Sequence, residues 1–288
     1  RNRHDAMTFQ DETASRAAAS LPPVSLSVLT WKAPRTLENT LAALAPITGI
    51  FAERYVICQE GDPEEMRIAS DFGFEPVATA TNLGIQEGLA RCGEVPTAER
   101  IMVVEGDNML SADTDAPRLL ERAIRLLDER DIAAFQLQER GSKPSSRFYR
   151  YWKRGVPLRP TLVGRLRPGP ALARVNEAVA LPAITENGNQ QIEKLEDRIY
   201  RTGSDCLNWS NRPFLTTKSF FLGELVAFAR KNPGTKRVNG MPDLEHPVNC
   251  PANRHWWRGS RFPMGMIYPG LFHHNRLERP DDDEKTEL

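Results

Sequence analysis

The chain alternates short apolar runs with amphipathic stretches. Val24-Ser25-Leu26-Ser27-Val28-Leu29-Thr30 predicts a first strand, and Pro34 then starts a helix whose Leu37, Leu41 and Leu44 recur at helical spacing. Tyr55-Val56-Ile57-Cys58 predicts a second strand, ending in Gln59-Glu60-Gly61. Asp62 suits an N-cap and Pro63 the first helical position. Glu65 stands three residues after the cap, so a helix through Phe72 with a capping box is expected. A short third strand follows over 74–77, and Asn82-Leu83-Gly84 opens another helix with Ile85, Leu89 and Cys92 on one face. Ile101-Met102-Val103-Val104 reads as a buried strand that stops abruptly at Glu105-Gly106-Asp107-Asn108. Asp115 caps a further helix with Leu120, Ile124 and Leu127 as its core stripe, and 132–137 makes one more strand.

Strand and helix alternate from Val24 to Asp107, which predicts an α/β fold: a mostly parallel, Rossmann-like sheet flanked by helices. In such a sheet ligands sit just outside the carboxyl ends of the strands, and an acid-x-acid step there suits a divalent cation holding a phosphorylated ligand. The pattern then becomes irregular. Ile192, Leu195 and Ile199 predict a short amphipathic helix, 220–228 a more buried one, and Met266-Ile267-Tyr268 a strand-like run. Residues 1–23 read as a loose tail or extra helix, and 280–288 as an acidic tail.

Composition narrows the function classes. The 288 residues carry 38 Lys+Arg and 38 Asp+Glu, so net charge selects no partner, and the distribution of charge matters more. Ten Lys and Arg residues and no acid fall between Arg140 and Arg174, with Phe148, Tyr149, Tyr151 and Trp152 interleaved. That stretch can attract phosphates or contact an anionic membrane surface, although snorkelling Arg stems on an exposed loop account for most of it. No apolar run reaches the roughly 18 residues of a membrane span. Cys58, Cys92, Cys206 and Cys250 form no C-x-x-C pair, which fits small buried hydrophobes in a cytoplasmic, reducing compartment and argues against structural zinc. Asn208-Trp209-Ser210 is formally a glycosylation sequon.

The order of the parts carries a resemblance. Thr30 ends a strand, an acid-Gly turn at Glu60-Gly61 follows the second, and Asn82-x-Gly84 precedes a helix. Glu105-Gly106-Asp107 ends the next strand, an acidic loop Pro242-Asp243-Leu244-Glu245 comes late, and Gly270-Leu271-Phe272-His273-His274 later still. This series resembles the GT-A glycosyltransferases, especially the inverting family 2, over roughly 24–279. The resemblance implies a single domain with a nucleotide-binding half, 24–138, and an irregular acceptor-side half, 139–279. It implies transfer of a sugar from a nucleoside-diphosphate sugar, with a UDP-sugar favoured weakly, to a glycan or lipid-linked acceptor hydroxyl. Thr30, Glu60, Asn82, Glu105 and Asp107 would line the donor pocket. Asp107, with Glu105 and one of His273 and His274, would hold Mn²⁺ or Mg²⁺. Neighbours on a strand face opposite ways, so the two histidines are not expected to reach one metal together; His274 is slightly favoured. Asp243 or Glu245 would be the general base, and Trp256 and Trp257 would offer aromatic faces to an acceptor, with at least one of the pair expected in the core. Glu105 stands where the family usually has Asp, and Gln59-Glu60 where it has paired Asp.

Two rival readings remain at this level. A sugar-phosphate nucleotidyltransferase calls for a glycine-rich, basic loop after the first strand, and Trp31-Lys32-Ala33-Pro34 is not one. A non-catalytic polyanion-binding module would rest on 140–174, but no nucleic-acid motif accompanies it.

Overall fold

The computed structural model describes residues 21–139, 192–205, 207–238, 240–250 and 252–277. Residues 1–20 of the tail expected over 1–23, the basic stretch 140–174, Cys206 and the acidic tail 280–288 lie outside them. The first half runs β1 (Val24–Thr30), α1 (Pro34–Leu44), β2 (Glu53–Cys58), α2 (Pro63–Asp71), β3 (Glu75–Ala78), α3 (Gly84–Glu94), β4 (Arg100–Glu105), β5 (Asn108–Leu110), α4 (Ala116–Glu129) and β6 (Ala134–Gln136). The second supplies β7 (Ile192–Glu196), β8 (Ile199–Gly203), β9 (Phe214–Thr217) and a π-helical segment (Ser219–Val226) that runs into α5 (Ala227–Lys231). There follow β10 (Arg237–Val238), β11 (Met241–Pro242), α6 (Glu245–Asn249), α7 (Arg254–Ser260), β12 (Pro263–Ile267) and β13 (Phe272–His274).

Among the described residues nine strands form the central sheet, in the order β3-β2-β1-β4-β9-β6-β12-β8-β7. The first four are mutually parallel; β9 opposes both β4 and β6, β12 is parallel to β6, and β8 opposes both β12 and β7. Only β8 and β9 therefore run against the rest, and the expected α/β class with a mostly parallel sheet is what the chain adopts.

Alternation along the strands builds a core on each face. Val24, Leu26, Val28, Val56, Met102 and Val104 pack with Leu37, Leu41 and Leu44 of α1, Ile68 of α2 and Leu119 to Leu127 of α4. Leu29, Ile57, Ile101 and Val103 point the other way, onto Leu89 and Cys92 of α3 and onto Phe221 and Leu225 of the π-helical segment. Each fully buried aliphatic side chain contributes about 1.5–3 kcal/mol by removal from water. The parallel register places the strand ends side by side, with Thr30 opposite Cys58 and Leu29 opposite Glu105.

Three expectations are corrected. The stretch expected as a helix over Ile192, Leu195 and Ile199 is a hairpin of β7 and β8, turned at Asp197 and Arg198, with Arg198 at φ 62. A positive φ on arginine gives no glycine-like signal in sequence, so the turn goes unread. The buried helix over 220–228 begins as a π-helix and turns α-helical only at Ala227. Glu65 does not close a capping box: Asp62 Oδ1 accepts from Glu64 N at 2.9 Å and Glu65 N at 3.0 Å, but the Glu65 carboxylate turns inward to Thr30 and Ala33.

Candidate active site

The turn after β4 is clamped from below. Gly106 N donates to Leu29 O at 2.7 Å and Gly106 O accepts from Thr40 Oγ1 at 2.6 Å; a Cβ on Gly106 would stand 3.1 Å from Leu29 O. A glycine is therefore what lets the turn lie on the end of β1. Above it, β13 pairs antiparallel with β5, aligning His274 with Asn108 and His273 with Met109, and Asn275 N donates to Asp107 O at 2.7 Å. A late segment is thus fastened across the acidic turn.

The two histidines separate as strand geometry requires. His274 Nε2 lies 3.0 Å from Asp107 Oδ2, whereas His273 Nδ1 faces Ser111 Oγ at 3.0 Å. Arg276 Nε approaches the same Asp107 oxygen at 3.3 Å, and Asn108 Nδ2 donates to Asp107 Oδ1 at 2.9 Å. Asn108 Oδ1 is buried without a partner among the described residues.

Glu105, half-buried at the tip of β4, is surrounded by other acids. Burial raises its carboxyl to a pKa of about 8, with the charges of Asp107, Glu245 and Asp243 adding to the shift and Arg276 opposing it. The acidic loop before α6 therefore faces the β4 turn. Asp243 is buried, and its Oδ1 accepts from Asn211 Nδ2 at 2.9 Å and from Glu245 N at 3.2 Å, while Lys236 Nζ stands 3.9 Å from Oδ2. Glu245 is half-buried, and Ser210 Oγ at 2.9 Å and Asn211 N at 2.8 Å both donate to its Oε1. Among the described residues no three His, Cys, Asp or Glu side chains are arranged to enclose a metal ion by themselves.

On the other flank, at the ends of β1, β2 and β3, Thr30 is buried and Glu60 lies outside it. Glu60 accepts from Lys32 Nζ at 2.8 Å and from Trp31 Nε1 at 3.2 Å, and these bonds hold its carboxyl below the usual range while raising Lys32. Asn82 Oδ1 accepts from Gly84 N at 2.7 Å, turning the chain into α3, and the buried Gln59 Oε1 accepts from Leu83 N at 2.7 Å. Gln59 is thus a structural clamp and Glu60 the outward acid.

Trp257 does not line an acceptor path: it is 1% exposed, and its Nε1 donates to Leu207 O at 2.7 Å. Trp256 is half-buried and stacks on Phe228, with centroids 3.8 Å apart. The sequon Asn208-Trp209-Ser210 is structural, with Trp209 in the core and Ser210 on Glu245. Asn211, Ser210, Lys236 and Arg276 are residues that sequence reasoning missed. A sequon and isolated surface cations carry no signal until the fold sets them beside acids.

No described protein family matches the sequence, and no curated protein does. In fold the chain is similar to glucosyl-3-phosphoglycerate synthase from Mycobacterium tuberculosis, crystallised with Mn²⁺, UDP and glucosyl-3-phosphoglycerate. Identity is 14%, covering 99% of this chain and 81% of that one, with a TM-score of 0.47. A mycobacterial protein gives 12% identity, 97% and 75% coverage and a TM-score of 0.47. TarS from S. aureus gives 16% identity, 42% and 36% coverage and a TM-score of 0.34. Likeness this distant leaves function to be argued from the site itself.

Proposed function

We propose that the protein is a metal-dependent glycosyltransferase that moves a sugar from a nucleoside-diphosphate sugar to an acceptor hydroxyl, with inversion at the anomeric carbon. The observation that carries this reading is the convergence of four carboxylates, Glu105, Asp107, Asp243 and Glu245, from two distant loops at the carboxyl ends of a mostly parallel sheet. Glu105, whose carboxyl burial raises to about 8 with the charges of the neighbouring acids adding to the shift, stands in surroundings that favour a cation.

Two of the side chains are donor types that suit a divalent metal. Asp107 Oδ2 and His274 Nε2, 3.0 Å apart, are a hard oxygen and an imidazole nitrogen, a pair that suits Mn²⁺ and also accommodates Mg²⁺. With two protein ligands, a metal there would depend on water and on the bound donor for the rest of its coordination. Asp107 and His274 would hold the metal, which would supply charge neutralisation to the leaving nucleoside diphosphate. Thr30, Glu60 and Asn82 would line the nucleotide pocket, with Trp31 and Lys32 at its rim, and Trp256 is the aromatic left for an acceptor sugar ring.

Between the two candidate bases, geometry favours Glu245. A base needs an oxygen that a substrate hydroxyl can reach. Both donors to Glu245 fall on Oε1, whereas Asp243 is buried, fixes the entry to α6 and holds Asn211. Glu245 Oε2 would take the acceptor proton as the hydroxyl oxygen bonds to the anomeric carbon and the bond to the diphosphate breaks from the opposite face. Release of nucleoside diphosphate from a panel of nucleotide sugars, with Mn²⁺ and with EDTA, tests the reading. Glu245→Gln is expected to lose about 10²-fold or more in turnover with nucleotide binding kept. Near-normal turnover by Glu245→Gln, with Asp243→Asn inactive, transfers the role to Asp243.

A further inference from the structure

Glu65 lies in the first turn of α2, where an acid ordinarily serves the helix dipole. Here the side chain is fully buried, at 0% exposure, and its Oε1 accepts from Thr30 Oγ1 at 2.7 Å and from Ala33 N at 2.8 Å. Lys32 has φ 48, a left-handed conformation that a residue with a side chain adopts only when its surroundings hold it there. The Thr30 hydroxyl and the Ala33 N–H, on either side of Lys32, therefore converge on one internal carboxyl. Glu65 Oε2 is buried without a partner among the described residues, and desolvation raises the carboxyl pKa against the pull of these bonds.

The outer side of the same loop lies against Glu60, an acid assigned above to the nucleotide pocket. Trp31 Nε1 and Lys32 Nζ both reach Glu60, and the Lys32 ammonium lies 5.6 Å from the Trp31 ring centroid. One acid inside the loop thus fixes where an indole and an ammonium stand outside it.

We propose that Glu65 is a positioning residue for nucleotide binding: it shapes loop 30–33 so that Trp31 and Lys32 meet a nucleoside diphosphate, an inference that rests on the donor-site reading above. Glu65 does not touch the ligand. Its effect is on the preorganisation of the loop, so it belongs to affinity and not to the chemical step.

The test is calorimetric titration of uridine, guanosine and adenosine diphosphates with Mn²⁺ into wild type and into Glu65→Gln, Glu65→Asp and Glu65→Leu. Melting temperature and near-ultraviolet circular dichroism check the fold of each variant. Glu65→Leu is expected to bind about thirtyfold more weakly, the factor that two net hydrogen bonds represent. Glu65→Asp, whose carboxylate is withdrawn by one methylene, should fall between. Glu65→Gln keeps the acceptor oxygen and should stay within about threefold of wild type. Turnover at saturating donor should change by less than about twofold in every folded variant. Wild-type affinity in folded Glu65→Asp and Glu65→Leu, a Gln variant as weak as Leu, or a fall in turnover at constant affinity overturns the proposal. If the Leu variant does not fold, the Asp variant decides. A wild type that binds none of the three nucleotides refutes the donor-site reading itself, and the proposal with it.

Discussion

Gly270→Ala is the substitution whose outcome the geometry constrains most tightly. Gly270 has φ 114, and a Cβ there would stand 2.1 Å from Gln138 O, 2.4 Å from Gln138 C and 2.5 Å from Glu139 Cα. All three are backbone atoms, so no rotamer change relieves the clash, and the chain entering β13 must lift. Lifting loosens Leu271 N→Leu137 O at 2.7 Å, Phe272 N→Leu137 O at 3.2 Å and Glu139 N→Phe272 O at 2.6 Å. It also unseats Leu271 and Phe272, exposed by 0% and 1%. Strain at such a φ costs about 1–3 kcal/mol and each lost hydrogen bond about 1 kcal/mol. Partial relaxation puts the expected loss at about 3–5 kcal/mol, or roughly 6–20 °C in melting temperature for a domain of this size. Because β13 carries His274 to Asp107, stabilisation by Mn²⁺ with nucleoside diphosphate should disappear in the same variant. Urea melts and thermal scans with and without those ligands measure both effects. A melting temperature within about 2 °C of wild type, with the ligand response intact, refutes the claim that this crossing fastens the site.

Asp107→Asn should separate stability from function. Its partners His274 and Arg276 are 49% and 47% exposed, and pairs of that kind contribute about 0–1 kcal/mol each, while Glu105 gains relief from a neighbouring charge. Stability without ligand should stay within about 1 kcal/mol of wild type, and sugar transfer should fall about 10²-fold or more; a normal transfer rate removes Asp107 from the site. The pH dependence of stability should carry the mark of Glu105. Its carboxyl keeps its proton in the fold up to a pKa of about 8, against 4.5 as the ordinary value, so the folded state binds more protons between those limits. Stability of the metal-free protein relative to Glu105→Gln is therefore greatest at low pH and declines as pH rises toward about 8, by at most ~1.4 kcal/mol per pH unit. Urea melts in EDTA at several pH values measure it, and a difference that grows with pH contradicts the burial of Glu105 among other acids.

The parallel half of the fold was legible because its signals are local. Val24–Thr30 is buried along its whole length, and the Pro34 and Asp62-Pro63 starts are true helix starts. Strand β9 was not legible: Phe214–Thr217 is four residues long and takes its place between β4 and β6 from pairing with distant segments. At the site, the acids and the late histidines could be found from their order, and the split between His273 and His274 follows from the pleat of a strand. Asn211 could not be found, since an amide in a loop looks like a turn residue until Asp243 and Glu245 fold onto it. Glu65 was misread for a related reason: helix N-terminal chemistry and a buried tertiary role call for the same residue at the same position.

The central claim is that the acids at the strand ends form a metal and nucleoside-diphosphate site. Thermal denaturation with uridine, guanosine or adenosine diphosphate, each with and without Mn²⁺, tests it most directly, because a ligand that binds only the folded state raises apparent stability by about 2.7 kcal/mol at a hundred times its Kd. The account predicts a rise in melting temperature for at least one nucleotide that requires Mn²⁺ and is lost in Asp107→Asn. No rise with any nucleotide, or the same rise without metal, contradicts it.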